Sequence, residues 1–147
     1  MYFLISAGIF IAELFTKNRR EKETEEKNCL NGFVRITTYH NHGAFLNSGE
    51  KHPRLVAAVS SALTGVLGVF MLSAYGNKNQ NKFLLPISLM LGGACSNCCD
   101  RLRHGYVVDY IRFPKLPGKL KDIIYNISDF CIFAGGILFC FRSGHGK

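Results

Sequence analysis

The sequence predicts an all-α membrane protein of four transmembrane helices, with a small β-platform built from its first and third loops. Three observations predict it. The apolar residues, 48% of the chain, are gathered into long runs with few charges. The two longer connections between those runs each contain a stretch where β-branched and aromatic residues alternate with polar ones. Three acids, Asp100, Asp109 and Asp129, stand in or beside apolar runs, where a carboxylate is costly. At 147 residues the chain forms one domain, 1–147, with no room for a second core.

The expected spans are 2–16, 55–76, 83–100 and 123–141. Within the first, Tyr2 to Phe15 is apolar apart from Ser6 and Glu13. It has no basic leading segment and no small-x-small cleavage site, so a retained helix is expected rather than a secretory signal peptide. "KNRREKETEEK", residues 17–27, alternates bases and acids without an apolar face and reads as a solvated helical extension or a mobile segment. Asn31-Gly32 marks a turn, and Phe33 to Tyr39 alternates as a short strand. At Gly43 and Ala44, just beyond it, the backbone can come close to a neighbour.

Pro53 suits the first turn of the second helix, whose uncharged run is long enough to cross a hydrocarbon layer of about 30 Å. "GNKNQNK", residues 76–82, is a tight polar connector to the third span. Residues 105–113, "GYVVDYIRF", alternate again, and Leu116-Pro117-Gly118 turns the chain toward the fourth span. Four spans bring the first and third loops out on one side, where their strands can meet.

The formal charge of +8 lies in loops that flank the spans, so membrane lipid headgroups are the expected partner and nucleic acid is not. Eight Lys/Arg fall in the first loop and six in the third, against two in the connector and two in the tail. Applied plainly, the positive-inside rule would put the long loops in the cytoplasm. Of six cysteines, five fall in spans, where a thiol acts as a small apolar residue. Cys95-x-x-Cys98-Cys99 has no histidine or second cysteine pair to complete a site, so no metal, no cofactor and no disulfide framework are expected.

Among the acids, Asp122 follows Lys119 and Lys121 just before the fourth span and reads as a helix-starting acid. Asp129 is costlier: a carboxylate well inside a membrane helix costs about 2.5–3.5 kcal/mol, so such acids mostly mark sites. Asn126, three residues earlier, is expected on the same face. The plainer reading is a polar contact between helices. Asp109, in the third-loop strand, is by itself an ordinary loop acid. Together, Asp109 and Asp129 could work as a carboxyl dyad, one protonated and one ionised because like charges push their pKa values apart. Asn97, Asp100 and Arg101 lie at i, i+3 and i+4 on one helical face. There Arg101 can fork onto a carboxylate, phosphate or carbonyl, or reach for headgroups.

"GGACSNCCDRLRHGYVVDY" resembles the third-helix signature G-N-x-x-D-R-x-x-x-G-x-V-x-D-[FY] of the bacterial signal peptidase II family, the lipoprotein signal peptidases. "YNISDF" resembles that family's F-N-x-A-D-S, "NHGAF" its N-x-G-A-A-F, and "AELFTK" its D-x-x-[ST]-K. The motifs stand in family order over nearly the whole chain.

The resemblance implies an aspartic endopeptidase of the bacterial cytoplasmic (inner) membrane. Such an enzyme cuts prolipoprotein signal peptides just before a cysteine bearing diacylglycerol, and is open to globomycin-type inhibitors. It implies Asp109 and Asp129 as the catalytic pair. It also implies Asn41, Gly43, Asn97, Arg101, Asn126 and Glu13 as substrate-binding or site-ordering residues, and Asp100 and Lys17 as structural members of the motifs. A β-platform and active site on the extracytoplasmic side follow in the same way, and a monomer is expected. The departures are Glu13 for Asp, Ser128 and Phe130 for the Ala and Ser beside Asp129, and a shortened Gly43-Ala44-Phe45-Leu46-Asn47. Two other functions fit the residues: a lipoprotein- or lipid-binding family member without catalysis, and an unrelated small membrane carrier using Asp129 for ion coupling.

Overall fold

The structure, a computed structural model, describes residues 1–23, 25–44 and 48–144. Phe45, Leu46 and Asn47, which close the shortened glycine-alanine stretch, lie outside the described residues. The helices in chain order are α1 Tyr2–Lys22, α2 Pro53–Ala74, α3 Leu84–His104 and α4 Ile127–Gly144. The strands are β1 Lys27–Cys29, β2 Val34–Asn41, β3 Val107–Arg112 and β4 Ile124–Tyr125, joined as one antiparallel sheet in the order β1-β2-β3-β4.

Among the described residues three helical segments are long and apolar enough to cross a membrane: Pro53–Ala74, Asn81–His104 and Ile127–Gly144. Their outward faces are bare hydrocarbon. On α2, Leu55, Val59, Leu63, Val66 and Val69 are all at least half open. So much contiguous apolar surface suits lipid and not water. α1 is as long as α3, but its last turn carries Arg19, Arg20 and Lys22 and keeps it out of that set.

α3 is the hub, touching α1, α2 and α4. Close approach is made by small residues, as in membrane bundles generally. A Cβ at Gly92 would stand 2.9 Å from the Ser6 carbonyl of α1, and one at Gly135 would stand 2.7 Å from the Pro86 carbonyl. Gly93 lies directly against the Ser128 carbonyl in the first turn of α4. Gly93→Ala is therefore expected to cost about 1–3 kcal/mol by overpacking. Gly136→Ala, which points a Cβ into open space, serves as the control. Thermal unfolding in detergent checks this, with a lower midpoint for the Gly93 variant alone. Met71, Ala74, Leu84 and Ile87 form the buried core near the end of the bundle remote from the sheet.

At the other end, β2 from the first loop pairs with β3 from the third, with Asn41 opposite Val107 and Tyr39 opposite Asp109. One extra residue in β2 between Ile36 and Tyr39 makes a bulge, which sharpens the local twist.

Five expectations are corrected. α1 runs on to Lys22 as a helical extension, but its charges are not simply solvated. Lys17 is 1% exposed, and Arg20 is buried with its guanidinium 2.7 Å from Glu23. The sheet has four strands rather than two. α4 begins at Ile127, not at 123, because residues 124–125 pair with Ile111 and Arg112 of β3. Asp122 therefore starts no helix: it ends a 3₁₀ turn, Gly118–Asp122, and bonds Arg112 at 3.0 Å. Asp129, for the same reason, is not deep inside an apolar helix but in the first turn of α4.

Candidate active site

The third helix ends on Gly105, whose φ of +79° is left-handed and free of strain only without a Cβ. That turn sends the chain back as β3, where Val107, Val108, Asp109 and Tyr110 are all buried. Asp100, in the last turn of α3, accepts the Val108 N–H at 3.3 Å and so fixes where the strand starts.

Asp129 is placed by a reciprocal cap. Asn126 Oδ1 accepts the Asp129 N–H at 3.0 Å, while Asp129 Oδ2 accepts the Asn126 N–H at 3.0 Å. This is a capping box with Asn and Asp in the two roles, and it satisfies backbone donors at the start of α4. The same Asn126 donates from Nδ2 to Asp109 Oδ1 at 2.6 Å. One residue thus grips both acids, by its backbone on one side and its carboxamide on the other.

Lys17 orders the opposite wall. Its buried ammonium donates to Ser96 Oγ (3.0 Å), Asn97 Oδ1 (2.8 Å) and Asp100 Oδ2 (2.9 Å), which uses all three of its donors. With Asn97 Oδ1 so engaged, its NH₂ end must face the other way, and there it donates to Asp129 Oδ1 at 2.9 Å. Asn41 donates to Asp109 Oδ2 at 2.9 Å and accepts the Gly43 N–H at 3.0 Å. Gly43 in turn offers its carbonyl to Arg101 Nη2 at 3.0 Å, so that guanidinium turns inward, whereas Arg103 is exposed.

Charges face Asp109 from three directions: Asp129 on α4, Lys17 on α1 and Arg101 on α3. Burial and the neighbouring Asp129 push the Asp109 carboxyl up to about 7, against the pull of its bonds to Asn41 and Asn126 and of the Lys17 charge.

Glu13 closes the network from α1. Oε1 accepts the Tyr110 hydroxyl, and Oε2 accepts both the N–H (3.1 Å) and the hydroxyl (2.9 Å) of Ser128. Burial and the bond to Glu13 hold the Tyr110 phenol above its usual range, so it remains a donor.

A cavity of about 170 Å³ opens over this network. Asn41, Asn97, Arg101, Asp109 and Asp129 line its polar side, and Ile124, Tyr125, Ile132 and Phe133 its apolar side. Ile132 and Phe133 carry the apolar side on into a wider groove along α4 past Ile137 and Cys140. All ten residues singled out from the sequence, Glu13, Lys17, Asn41, Gly43, Asn97, Asp100, Arg101, Asp109, Asn126 and Asp129, belong to one network of hydrogen bonds and ion pairs, Glu13 joining it through Lys17 at 3.9 Å. Ser96, Tyr110 and Ser128 were missed. Tyr110 fills the [FY] place of the third-helix signature, and Ser128 was visible as a departure, but nothing in the order of residues shows that both reach Glu13. Cys98 is buried with its sulfur 3.2 Å from the Ser61 hydroxyl of α2.

The family described as signal peptidase (SPase) II matches residues 5–144. The lipoprotein signal peptidase of Caldicellulosiruptor bescii is 30% identical over 143 residues, 96% of this chain and 89% of that protein. That of Moorella thermoacetica is 33% identical over 115 residues, 77% of this chain and 70% of that one. A solved bacterial membrane enzyme superposes with a TM-score of 0.78 at 24% identity, covering 99% of this chain and 94% of that one, a likeness of fold.

Proposed function

Because the chain belongs to the signal peptidase II family, and is therefore a multi-pass bacterial membrane protein with a protease's ancestry, we propose that it is an aspartic endopeptidase of prolipoproteins. It removes the signal peptide by cutting before the diacylglyceryl-modified cysteine, with Asp109 and Asp129 activating water. Membership in the family leaves no place for the reading as an unrelated carrier. The observation that carries the proposal is the double grip of Asn126, which turns both carboxyl groups toward one small polar cavity.

Charge balance favours a shared proton. Four buried or half-buried acids (Glu13, Asp100, Asp109 and Asp129) meet two bases, Lys17 and Arg101, and a surplus of two negative charges away from water is costly. Asp109 is the member that keeps the proton. Asp129 carries the charge, at the positive end of the α4 dipole with a backbone N–H on its oxygen.

The chemistry follows from those states. Asp129 takes a proton from a water between the two acids as that water's oxygen attacks the scissile carbonyl carbon. Asp109 gives its proton to the carbonyl oxygen, forming a neutral geminal diol. On collapse, the C–N bond breaks, a diol hydroxyl returns its proton to Asp109, and Asp129 gives the proton it took to the leaving amine. Arg101 and the Asn97 amide stand on the cavity wall to orient the peptide. The acyl chains of the substrate remain in the bilayer, against the apolar groove along α4.

The active site belongs on the extracytoplasmic face of the inner membrane, with all four helices spanning. The basic count that opposes this is weaker than it looks, since Lys17, Arg19, Arg20 and Arg112 are each paired with an acid. One chain supplies every residue of the network, and a monomer is expected.

The test is purified protein in detergent with a synthetic lipopeptide. A single cut before the diacylglyceryl-cysteine is expected, with the unmodified peptide left whole and globomycin blocking the cut. No cleavage would leave a binding role instead.

A pH profile follows with a definite sign. Asp109 must hold its proton, so kcat/KM should fall as pH rises through about 7, and fall again in acid as Asp129 is protonated. Asn41→Ala removes a donor that favours ionised Asp109, so the alkaline limb should move to higher pH. A limb that stays put or moves down counts against Asp109 as the proton holder.

A further inference from the structure

We infer that Glu13 is a positioning residue whose one buried carboxylate ties the residue after Asp109 to the residue before Asp129, and so sets the separation of the two acids. This rests on the reading of those acids as a catalytic pair.

The two bonds leave from opposite oxygens. Oε1 holds the Tyr110 hydroxyl, one residue beyond Asp109 in β3. Oε2 holds both donors of Ser128, one residue before Asp129 in α4, at 3.1 and 2.9 Å. The Tyr110 oxygen also accepts the Ile127 N–H at 3.4 Å, so the strand and the helix start are laced together at this point. Glu13 is 1% exposed and Ser128 fully buried, so water offers neither an easy substitute partner. Lys17 Nζ, 3.9 Å from Oε2, is the charged group facing this carboxylate from its own helix.

Glu13 Oε2 and Ser128 Oγ thus form a link between α1 and α4, and losing either side leaves a buried polar group of the other without this partner. Asn126 sets which way each acid points. Glu13 sets how far apart their backbones stand.

The experiment uses the full chain in detergent with Ser128→Ala, Tyr110→Phe, Glu13→Asp and the Glu13→Asp/Ser128→Ala double variant. Three readouts are taken: the thermal unfolding midpoint, kcat and KM on the lipopeptide, and the pH titration of the protonated-carboxyl infrared band, assigned by its loss in Asp109→Asn.

Displacement of one acid by a fraction of an ångström to an ångström should lower kcat about tenfold to a hundredfold in each single variant, with KM within about twofold. The double variant should lose no more than the worse single one, because the same link is broken. With the acids further apart their repulsion weakens, so the band should vanish at lower pH than in the parent protein.

The inference fails if the losses of Glu13→Asp and Ser128→Ala multiply, or if kcat holds while only the unfolding midpoint drops. It fails equally if the band titrates unchanged. Should Ser128→Ala not fold, Tyr110→Phe decides alone. A parent protein that cuts nothing would sink the protease reading, while the infrared titration still judges the role of Glu13.

Discussion

Replacing either Asp109 or Asp129 by asparagine is expected to lower cleavage of the diacylglyceryl lipopeptide by about 10³-fold or more, the upper part of the range for losing a positioned general acid or base. Asparagine keeps the size of the side chain, so the comparison isolates proton chemistry from shape. At 109, the carboxamide can still accept from either Asn126 or Asn41, but its NH₂ end must then face the other donor. That single lost bond costs about 1 kcal/mol, and with Asp109 read as the protonated member the substitution removes no charge from the site. Unfolding midpoints of both variants should therefore stay close to the parent while activity disappears. An activity within tenfold of the parent in either variant would remove the carboxyl dyad, however well the protein is folded. The two losses should also fail to multiply when combined, because the acids act as one unit.

Much of this was visible beforehand, and what was hidden has a common cause. The uncharged run before Gly76 reads as one thing only, and α2 occupies it. Periodicity placed strands in both long loops, and β2 and β3 are there. What escaped were places where an apolar run serves two structures. Ile123, Ile124 and Tyr125 could continue a helix or form a short strand, and nothing local decides between them. Pairing with Ile111 and Arg112 decides, and it moves the start of α4 to Ile127. Asp129 then changes from a costly intramembrane acid into a helix-capping one, held by Asn126. Lys17 was hidden differently. It begins a run of charges that looks solvated, and only the approach of α3 turns it inward.

Lys17→Met is expected to be the most destabilising substitution of those considered, at about 3–5 kcal/mol, the cost of stripping one partner from a buried ion pair. Asp100, 4% exposed, would lose its ammonium partner and be left with the Val108 N–H and the charge of Arg101, and Asn97 and Ser96 would each lose a donor. Adding Asp100→Asn should restore half or more of the loss, since a neutral amide can still accept the Val108 N–H. Thermal unfolding in detergent reads both variants, and a further fall in the double variant would rule out the charge as the cause. Stability is not the whole of what the pair does. Buried ion pairs are often replaceable by apolar residues with little penalty, so the sharper role of this pair is geometric. Lys17 holds Asn97 Oδ1 and thereby aims its NH₂ group at Asp129. In the Lys17→Met/Asp100→Asn protein Asn97 Oδ1 loses its 2.8 Å donor and is left with the longer 3.3 Å bond from Asn126 Nδ2, so the amide is held less firmly and can turn a lone pair toward Asp129 instead of a donor. Recovered stability without recovered cleavage is therefore the expected outcome, with the deficit in kcat rather than in KM.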